Sequence, residues 1–253
     1  MSRSSQSDSR APRRQFLGEL AVGAAAIAAA ACTPAAQTTA ASQAPAPATP
    51  PPQSEGLQQS MSMPTPPSTW DSSWMSRITA KHKAVFDSPE IEEGTALWHA
   101  MSYLGSVKDV FGTGDSDASV VVVLRHRAVP LLFNDAMWAK YDIGAATKTM
   151  DKAGKPVTRN TYYQNVDAQG NPKDDSRPTP LIKPLSARGV IFIGCDMATR
   201  GFSSRAAAAK KLPVQQVYDE IRANLVPGAT LMPTGVFGML MAQEAGCSLM
   251  RST

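Results

Sequence analysis

The chain contains few of the residues on which most catalytic and metal sites are built. It has three histidines and three cysteines in 253 residues, and they are scattered. No close Cys/His/Asp spacing indicates a metal site, and no Gly-x-Ser-x-Gly sequence indicates a hydrolase nucleophile. The stretch GTGDS at 112–116 is too short for a phosphate-binding loop and follows a predicted helix rather than a strand. We therefore expect neither a metal ion nor a cofactor.

The first 31 residues have the order of an export signal. Arg13 and Arg14 precede Phe16 and Leu17, and an alanine-rich, weakly apolar run follows at 20–31. Paired arginines ahead of such a run resemble a twin-arginine signal, and an ordinary secretory signal is the alternative. The run is too short to be a convincing transmembrane helix. We therefore expect an exported, periplasmic protein.

Three alanines at the end of this signal precede Cys32. Small residues before a cysteine resemble the lipobox of bacterial lipoproteins, in which that cysteine is acylated. Cleavage at a nearby Ala-x-Ala site is the alternative. A lipid on Cys32 is the only membrane contact that we expect.

A Pro-rich segment separates the signal from the folded part. Residues 32–68 hold nine of the twenty prolines and one charged residue. Such a composition cannot bury enough apolar surface to offset the entropy lost on ordering, so it predicts a disordered tether. Residues 69–253 are enough for one domain. Removing the four arginines and two acidic residues of 1–31 lowers the net charge from +4 to +2. With no basic stripe beside aromatic residues, we expect no nucleic-acid partner.

Apolar segments in the domain alternate between strand and helix patterns. Strands are predicted at 83–87, 119–124, 189–195 and 229–232, and the second and third are continuous apolar runs typical of strands covered on both faces. Helices are predicted at about 92–108, at 136–141, from Ser203 or Ser204 to 209, at 214–225 and at 236–245. This alternation predicts an α/β fold, with a parallel sheet and helices on both faces.

A polar segment at 145–185 interrupts the alternation. KAGK at 152–155 and DAQGN at 167–171 predict turns, in one or two hairpins. A segment of this length is uncommon in a compact domain and is usually functional or mobile. A surface insertion and an active-site cover are both compatible with the pattern.

Four segments stand in a familiar order: KHKAVFDSP, SVVVVLRHRAVPLLF, ARGVIFIGCDMAT and LVPGATLMPTGVFGMLMAQEAGC. Together they resemble the DsrE/DsrF-like superfamily, and more closely its exported members with twin-arginine signals. The resemblance covers most of 81–247 and implies a flavodoxin-like fold and a homo-oligomer. In the sulfur-relay members, a cysteine at the end of the strand that corresponds to 190–193 accepts sulfur as a persulfide. Cys195 stands at that position.

Cys195 has more than one interpretation. Reactions in an open parallel sheet occur beyond the carboxyl ends of the strands, and a following helix with Arg200 and Arg205 would favour a thiolate. Free cysteines are also among the most buried residues, and many only fill space. In an oxidising compartment, Cys195 could instead form a disulfide with Cys247.

His126 is the second candidate site residue. It follows the SVVVVL strand and could face the same cleft as a base or hydrogen-bond partner, and a structural histidine is the alternative. The leading hypothesis is an exported protein that binds or relays a sulfur species through Cys195, with a donor or acceptor protein as partner. The alternative is a non-catalytic binding or assembly module with a structural cysteine. A ligand acquired in the cytoplasm before export is a third hypothesis.

Overall fold

The computed structural model describes residues 63–165 and 180–253. The signal with Arg13 and Arg14, the lipidation candidate Cys32, the tether up to residue 62 and the turn predicted at 167–171 lie outside these ranges. Within them, no helix is long and apolar enough to cross a lipid bilayer. At the start of the first range, the backbone N–H of Thr65 donates to the side-chain oxygen of Gln215 at 2.9 Å.

Five strands and seven α-helices make up the described part of the chain. The strands are β1 (His82–Ser88), β2 (Ala118–Leu124), β3 (Ile191–Cys195), β4 (Ala229–Met232) and β5 (Ser248–Arg251). The helices are α1 (Thr95–Phe111), α2 (Asp135–Lys140), α3 (Ile143–Thr147), α4 (Ile182–Ala187), α5 (Asp196–Lys210), α6 (Val214–Ala223) and α7 (Gly235–Glu244). The 3-10 segments among them are Ser73–Arg77, Glu92–Gly94, Asp115–Asp117 and His126–Leu132.

All five strands are parallel and form one sheet in the order β4-β3-β2-β1-β5. The predicted α/β fold is confirmed, and it is consistent with a flavodoxin-like arrangement. β2 and β3 are continuous apolar runs because both of their faces are covered. The sequence pattern does not predict β5, because this edge strand has only four residues and all of them are exposed.

Helices pack on both faces of the sheet, as predicted. Even-numbered residues of β2 face a large core that includes α1, α5 and α6, and odd-numbered residues face a smaller core formed with α7 and the segment 73–77. α7 lies close to the sheet because its buried residues are Gly235, Gly238 and Ala242. A Cβ atom on Gly238 would lie 3.0 Å from Cγ2 of Ile193.

The helix after β3 begins earlier than predicted. We expect Ser203 or Ser204 at its start, but α5 begins at Asp196, directly after the strand. The hydroxyls of Ser203 and Ser204 donate instead to carbonyls one turn earlier, those of Thr199 and Arg200, at 2.9 and 3.1 Å. A serine whose hydroxyl donates to the carbonyl one turn earlier is compatible with a helix interior. The prediction fails because the cap is a cysteine, which is not a usual capping residue.

The polar segment 145–185 is attached to the larger core where it is described. An antiparallel bridge joins Met150 and Pro156 around the turn predicted at 152–155. The buried amide of Asn160 donates to the carbonyls of Leu131 and Phe133 at 2.7 and 2.9 Å. These bonds satisfy backbone groups that would otherwise be buried without partners.

Candidate functional site

Cys195 is the last residue of β3, at the carboxyl edge of the sheet. α5, which follows β3, packs on the larger core, whereas α7, which follows β4, packs on the opposite face. Because β3 and β4 are neighbours, the chain leaves two adjacent strands toward opposite faces. This is a topological switch point, where ligands of open α/β sheets bind outside the strand ends. Cys195 is paired in register with Met232, the last residue of β4.

The Cys195 sulfur caps α5. Sγ accepts a hydrogen bond from the backbone N–H of Ala198 at 3.4 Å, and the Cys195 backbone is extended, with φ −87° and ψ 110°. The Cys195 carbonyl accepts a hydrogen bond from the hydroxyl of Thr199 at 3.1 Å. The first N–H groups of a helix have no partner inside the helix, and the Cys195 sulfur satisfies one of them. The residue is 5% exposed, which restricts the size of a reagent that can reach it.

A buried ion pair joins Asp87, near the end of β1, to Arg125, which directly follows β2. Nε and Nη2 of Arg125 donate to the two carboxylate oxygens of Asp87, at 2.7 and 2.8 Å. β2 and β3 are in register through Leu124 and Gly194. The residues that follow, Arg125 and Cys195, are therefore level with each other and project toward the same face. The hydrogen bonds that Arg125 donates to Asp87 raise the pKa of the Arg125 guanidinium.

The first turn of α7 packs over this ion pair. A Cβ atom on Gly235 would lie 2.7 Å from Cβ and 3.0 Å from Cδ of Arg125. The absence of a side chain at Gly235 therefore lets the arginine lie directly against the helix. Thr234 caps α7 by accepting the backbone N–H of Phe237 on its hydroxyl at 3.0 Å. The N-termini of α5 and α7 thus both begin at the edge that carries Cys195.

A second polar group holds the first turn of α5. Asp196 is fully buried, and its carboxylate accepts the hydroxyl of Tyr218 at 2.6 Å and Nε of Arg200 at 3.1 Å. Burial raises the pKa of the Asp196 carboxyl, against the opposing effects of the Tyr218 hydrogen bond and of the positive Arg200 and Arg222. Burial and the bond to Asp196 likewise raise the pKa of Tyr218. This network fixes α5 to α6 next to Cys195.

Arg200 and Arg205, which the sequence predicts to favour a Cys195 thiolate, have other surroundings in the structure. Arg200 pairs with Asp196, and Arg205 is exposed five residues further along α5. Arg125 is the arginine that lies level with Cys195 at the end of the neighbouring strand. The sequence carries a signal that could have identified it, because Arg125 directly follows the apolar run of β2, as Asp87 ends the apolar run of β1. Residues at such positions meet at one sheet edge.

His126 directly follows Arg125 in the sequence, and it is exposed. It begins the 3-10 segment that leads the chain away from β2, and its φ of 48° is in the left-handed region. Glu92 and Glu93, which follow β1, also have positive φ values, of 37° and 55°. Asp142, Lys148 and Lys211 have positive φ values as well, so this feature is not confined to the carboxyl edge. The role of His126 as a base or hydrogen-bond partner stays a prediction.

The other histidines have structural contacts. The ring of His82 stacks on Phe111 with centroids 4.2 Å apart. Nδ1 of His99 lies 2.9 Å from the hydroxyl of Ser252. Among the residues that the structure describes, no group of three or more His, Cys, Asp or Glu side chains could hold a metal ion.

Cys195 and Cys247 are both free and lie at opposite ends of the sheet. Cys247 immediately precedes the β5 residue that pairs with Ala84, whereas Cys195 follows the β3 residue that lies level with Ser88. The two cysteines are therefore about 20 Å apart along the strands and about 14 Å apart across them. A disulfide requires Cα atoms within about 7 Å, so the pairing considered from the sequence does not occur. Burial raises the pKa of the Cys247 thiol.

The described residues of the polar segment pack on the larger core. In its described part, the segment 145–185 contacts the larger-core side, where the ring of Tyr162 would be 3.2 Å from a Cβ atom on Gly94. A cavity of about 360 Å3 lies along β4 and is lined by residues that include Trp70 and Arg222. Cys195 does not line it. The described part of the segment therefore gives no support to the active-site cover interpretation.

Similarity to characterised proteins adds nothing to this geometry. A comparison with protein-family models and with curated proteins finds no match to the chain. The residues at the carboxyl edge are therefore the basis on which a function is proposed.

Proposed function

We propose that the protein is an exported sulfur carrier in which Cys195 binds or relays a sulfur species as a persulfide. The observation that carries this proposal is the position of Cys195 at the switch point between β3 and β4, with its sulfur on the N-cap of α5. The DsrE/DsrF-like resemblance assigns the sulfur acceptor to the same residue. The signal-like residues 1–31 support a periplasmic location, and Cys32 is the candidate lipid anchor.

The proposed reaction transfers one sulfur atom and needs no external oxidant. The Cys195 thiolate attacks the terminal sulfur of a donor persulfide, R–S–SH. The donor S–S bond breaks with its electron pair on the inner sulfur, so R–S⁻ leaves and Cys195 becomes Cys–S–SH. Attack by an acceptor thiolate on that terminal sulfur then restores the Cys195 thiolate. The partner is therefore a protein or small molecule that carries a persulfide or a thiol.

Peptide-level mass spectrometry tests this proposal. The full chain is incubated with inorganic polysulfide, blocked with iodoacetamide and digested with trypsin. We expect one additional sulfur atom on peptide 189–200, which contains Cys195, and much less on peptide 223–251, which contains Cys247. Cys247→Ser is the matched control and should leave the uptake unchanged. If Cys195→Ser takes up as much sulfur as the wild type, Cys195 is not the acceptor.

A second candidate is a non-catalytic binding or assembly module with a structural cysteine. The 5% exposure of Cys195 and its capping bond to Ala198 favour this alternative, because both would also result from a purely structural role. The alkylation rates of Cys195 and Cys247 distinguish the two functions. A sulfur carrier predicts faster alkylation of Cys195 in the folded protein, and equal protection of both thiols until unfolding favours the binding module.

The resemblance also implies a homo-oligomer, and an exposed apolar surface supports this part of the proposal. Val236, Phe237 and Leu240 on the outer face of α7 are 52%, 41% and 50% exposed. Leu249 and Met250 on the edge strand β5 are similarly exposed. Apolar groups of this size on a surface commonly mark protein contacts. Sedimentation of the wild type and of Phe237→Ser tests it, and a wild-type monomer at micromolar concentration would exclude it.

A further inference from the structure

We propose that the cavity along β4 binds a small organic carboxylate, whose charged group binds Arg222 and whose apolar part contacts Trp70. The cavity has a volume of about 360 Å3 and is lined by residues from the end of α6, the edge strand β4 and the segment 69–71. Small-molecule sites have volumes of about 300–1,000 Å3. Cys195 does not line this cavity, so the site is separate from the proposed sulfur carrier and goes beyond it.

Arg222 is held by aromatic rings rather than by a carboxylate. Its Cζ lies over the ring of Tyr218 and over the ring of Trp70, 5.5 and 6.0 Å from the two centroids. The faces of aromatic rings attract a guanidinium without occupying its N–H donors. The residue is partly buried. Within the described ranges, its guanidinium has neither a hydrogen-bond acceptor nor an ion-pair partner, so its donors are open to a ligand.

The carboxylates near Arg222 have other partners. Asp219 and Glu220 on α6 and Asp196 on α5 all accept hydrogen bonds from other side chains. Asp71 lines the same cavity, but its carboxylate accepts the backbone N–H of Ser73 at 2.9 Å and is exposed. Its charge is therefore screened by solvent. A fixed guanidinium on a cavity wall, with no protein anion bound to it, favours an anionic ligand.

The rest of the cavity wall indicates what kind of anion fits. The planar fork of an arginine matches a carboxylate through two parallel hydrogen bonds. Trp70, Leu225 and Leu231 add apolar groups to the wall, which an inorganic oxyanion would leave without contacts. One side of β4 has no partner strand, so its backbone can supply further hydrogen bonds. A carboxylate that carries an apolar or aromatic group satisfies all of these features.

Calorimetric titration of the full chain tests the proposal, with phenylacetate and indole-3-acetate as probes. We expect saturable binding of at least one probe, with a dissociation constant of about 1 mM or lower. Phenylacetamide has nearly the same shape but no charge, and it should bind at least about tenfold more weakly than phenylacetate. Sulfate has the charge but no apolar group, and it should also bind more weakly than phenylacetate.

Substitutions at the two proposed contacts locate the binding. Arg222→Met should weaken phenylacetate binding about tenfold or more, whereas Arg222→Lys keeps the charge without the planar fork and should weaken it less. Trp70→Leu should weaken phenylacetate binding and leave sulfate binding unchanged. Arg127→Met, at an exposed arginine that does not line the cavity, is the matched control and should leave both affinities unchanged.

Far-UV circular dichroism establishes that each variant is folded. Arg222→Met leaves no carboxylate of the described residues without an ion-pair partner, so we expect this variant to fold. The proposal is overturned if the wild type binds neither probe, if phenylacetamide binds as tightly as phenylacetate, or if folded Arg222→Met keeps the wild-type affinity. Sulfate that binds as tightly as phenylacetate, with no effect of Trp70→Leu, would show an unspecific anion contact and would likewise overturn it.

Discussion

The hydroxyl of Tyr218 should contribute strongly to stability because its partner is a buried carboxylate. Tyr218→Phe keeps the ring and removes the bond to Asp196, which is 2.6 Å long. Both residues are 0% exposed, so water cannot replace the lost donor without a local rearrangement. A hydrogen bond to a charged group is worth about 1.5–3 kcal/mol. We expect Tyr218→Phe to lower the free energy of unfolding by about 2 kcal/mol.

Tyr141→Phe is the matched control for this substitution. The hydroxyl of Tyr141 also donates to a carboxylate, that of Glu220. The Glu220 side chain is 27% exposed and keeps a second partner, Lys140, after the tyrosine hydroxyl is removed. Its carboxylate can therefore be hydrated, and the loss should be about 0.5–1 kcal/mol.

Urea unfolding followed by circular dichroism measures both losses. The midpoint concentration of urea should fall in each variant without a change in the slope of the transition, which would show that stability alone has changed. The decrease should be at least twice as large for Tyr218→Phe as for Tyr141→Phe. Equal decreases would refute the reasoning, because they would mean that the burial of Asp196 does not strengthen its hydrogen bond.

Three further predictions concern backbone packing and pH. Gly194→Ala should cost about 1–3 kcal/mol in unfolding free energy and change the alkylation rate of the following cysteine, because its Cβ would lie 2.5 Å from a leucine methyl carbon of β4. In thermal melts, Gly144→Ala should lower the melting temperature, since its Cβ would lie 2.0 Å from the carbonyl oxygen of Val157, whereas Gly105→Ala, with open space in α1, should raise it. The folded state raises the pKa of Asp196 above 3.8 and so retains its proton to higher pH than the unfolded state. The contribution of Asp196 to the free energy of unfolding therefore falls as the pH rises above about 4. Asp196→Asn should remove that fall when unfolding by urea is measured between about pH 3 and pH 7. An identical pH dependence of the unfolding free energy in the variant and the wild type would contradict this prediction.

The sequence predicts the sheet well where its strands are buried. The continuous apolar runs at 119–124 and 189–195 predict β2 and β3 because a doubly covered strand has apolar side chains on both faces. The exposed strand β5 has no such pattern, and its place beside β1 depends on long-range pairing. Helix α5 begins seven or eight residues before the predicted caps because the Cys195 sulfur takes the capping role.

The candidate site is predictable in its position but not in its composition. The end of an apolar strand places Cys195 at the carboxyl edge, which the structure bears out. The partners come from β1 and β2, and only the strand order and register reveal that Arg125 is level with Cys195. Local reasoning instead favours Arg200 and Arg205, because they are close in sequence. The separation of Cys195 from Cys247 likewise depends on register, which spacing along the chain does not encode.

Sulfur mapping after polysulfide treatment tests the central proposal most directly. If Cys195 is the acceptor, peptide 189–200 of the wild type carries one additional sulfur atom, and treatment with a reducing thiol removes it. Peptide 223–251, which contains the buried Cys247, serves as the internal comparison in the same digest. Equal sulfur on both peptides, or none on peptide 189–200, would contradict a sulfur carrier built on Cys195.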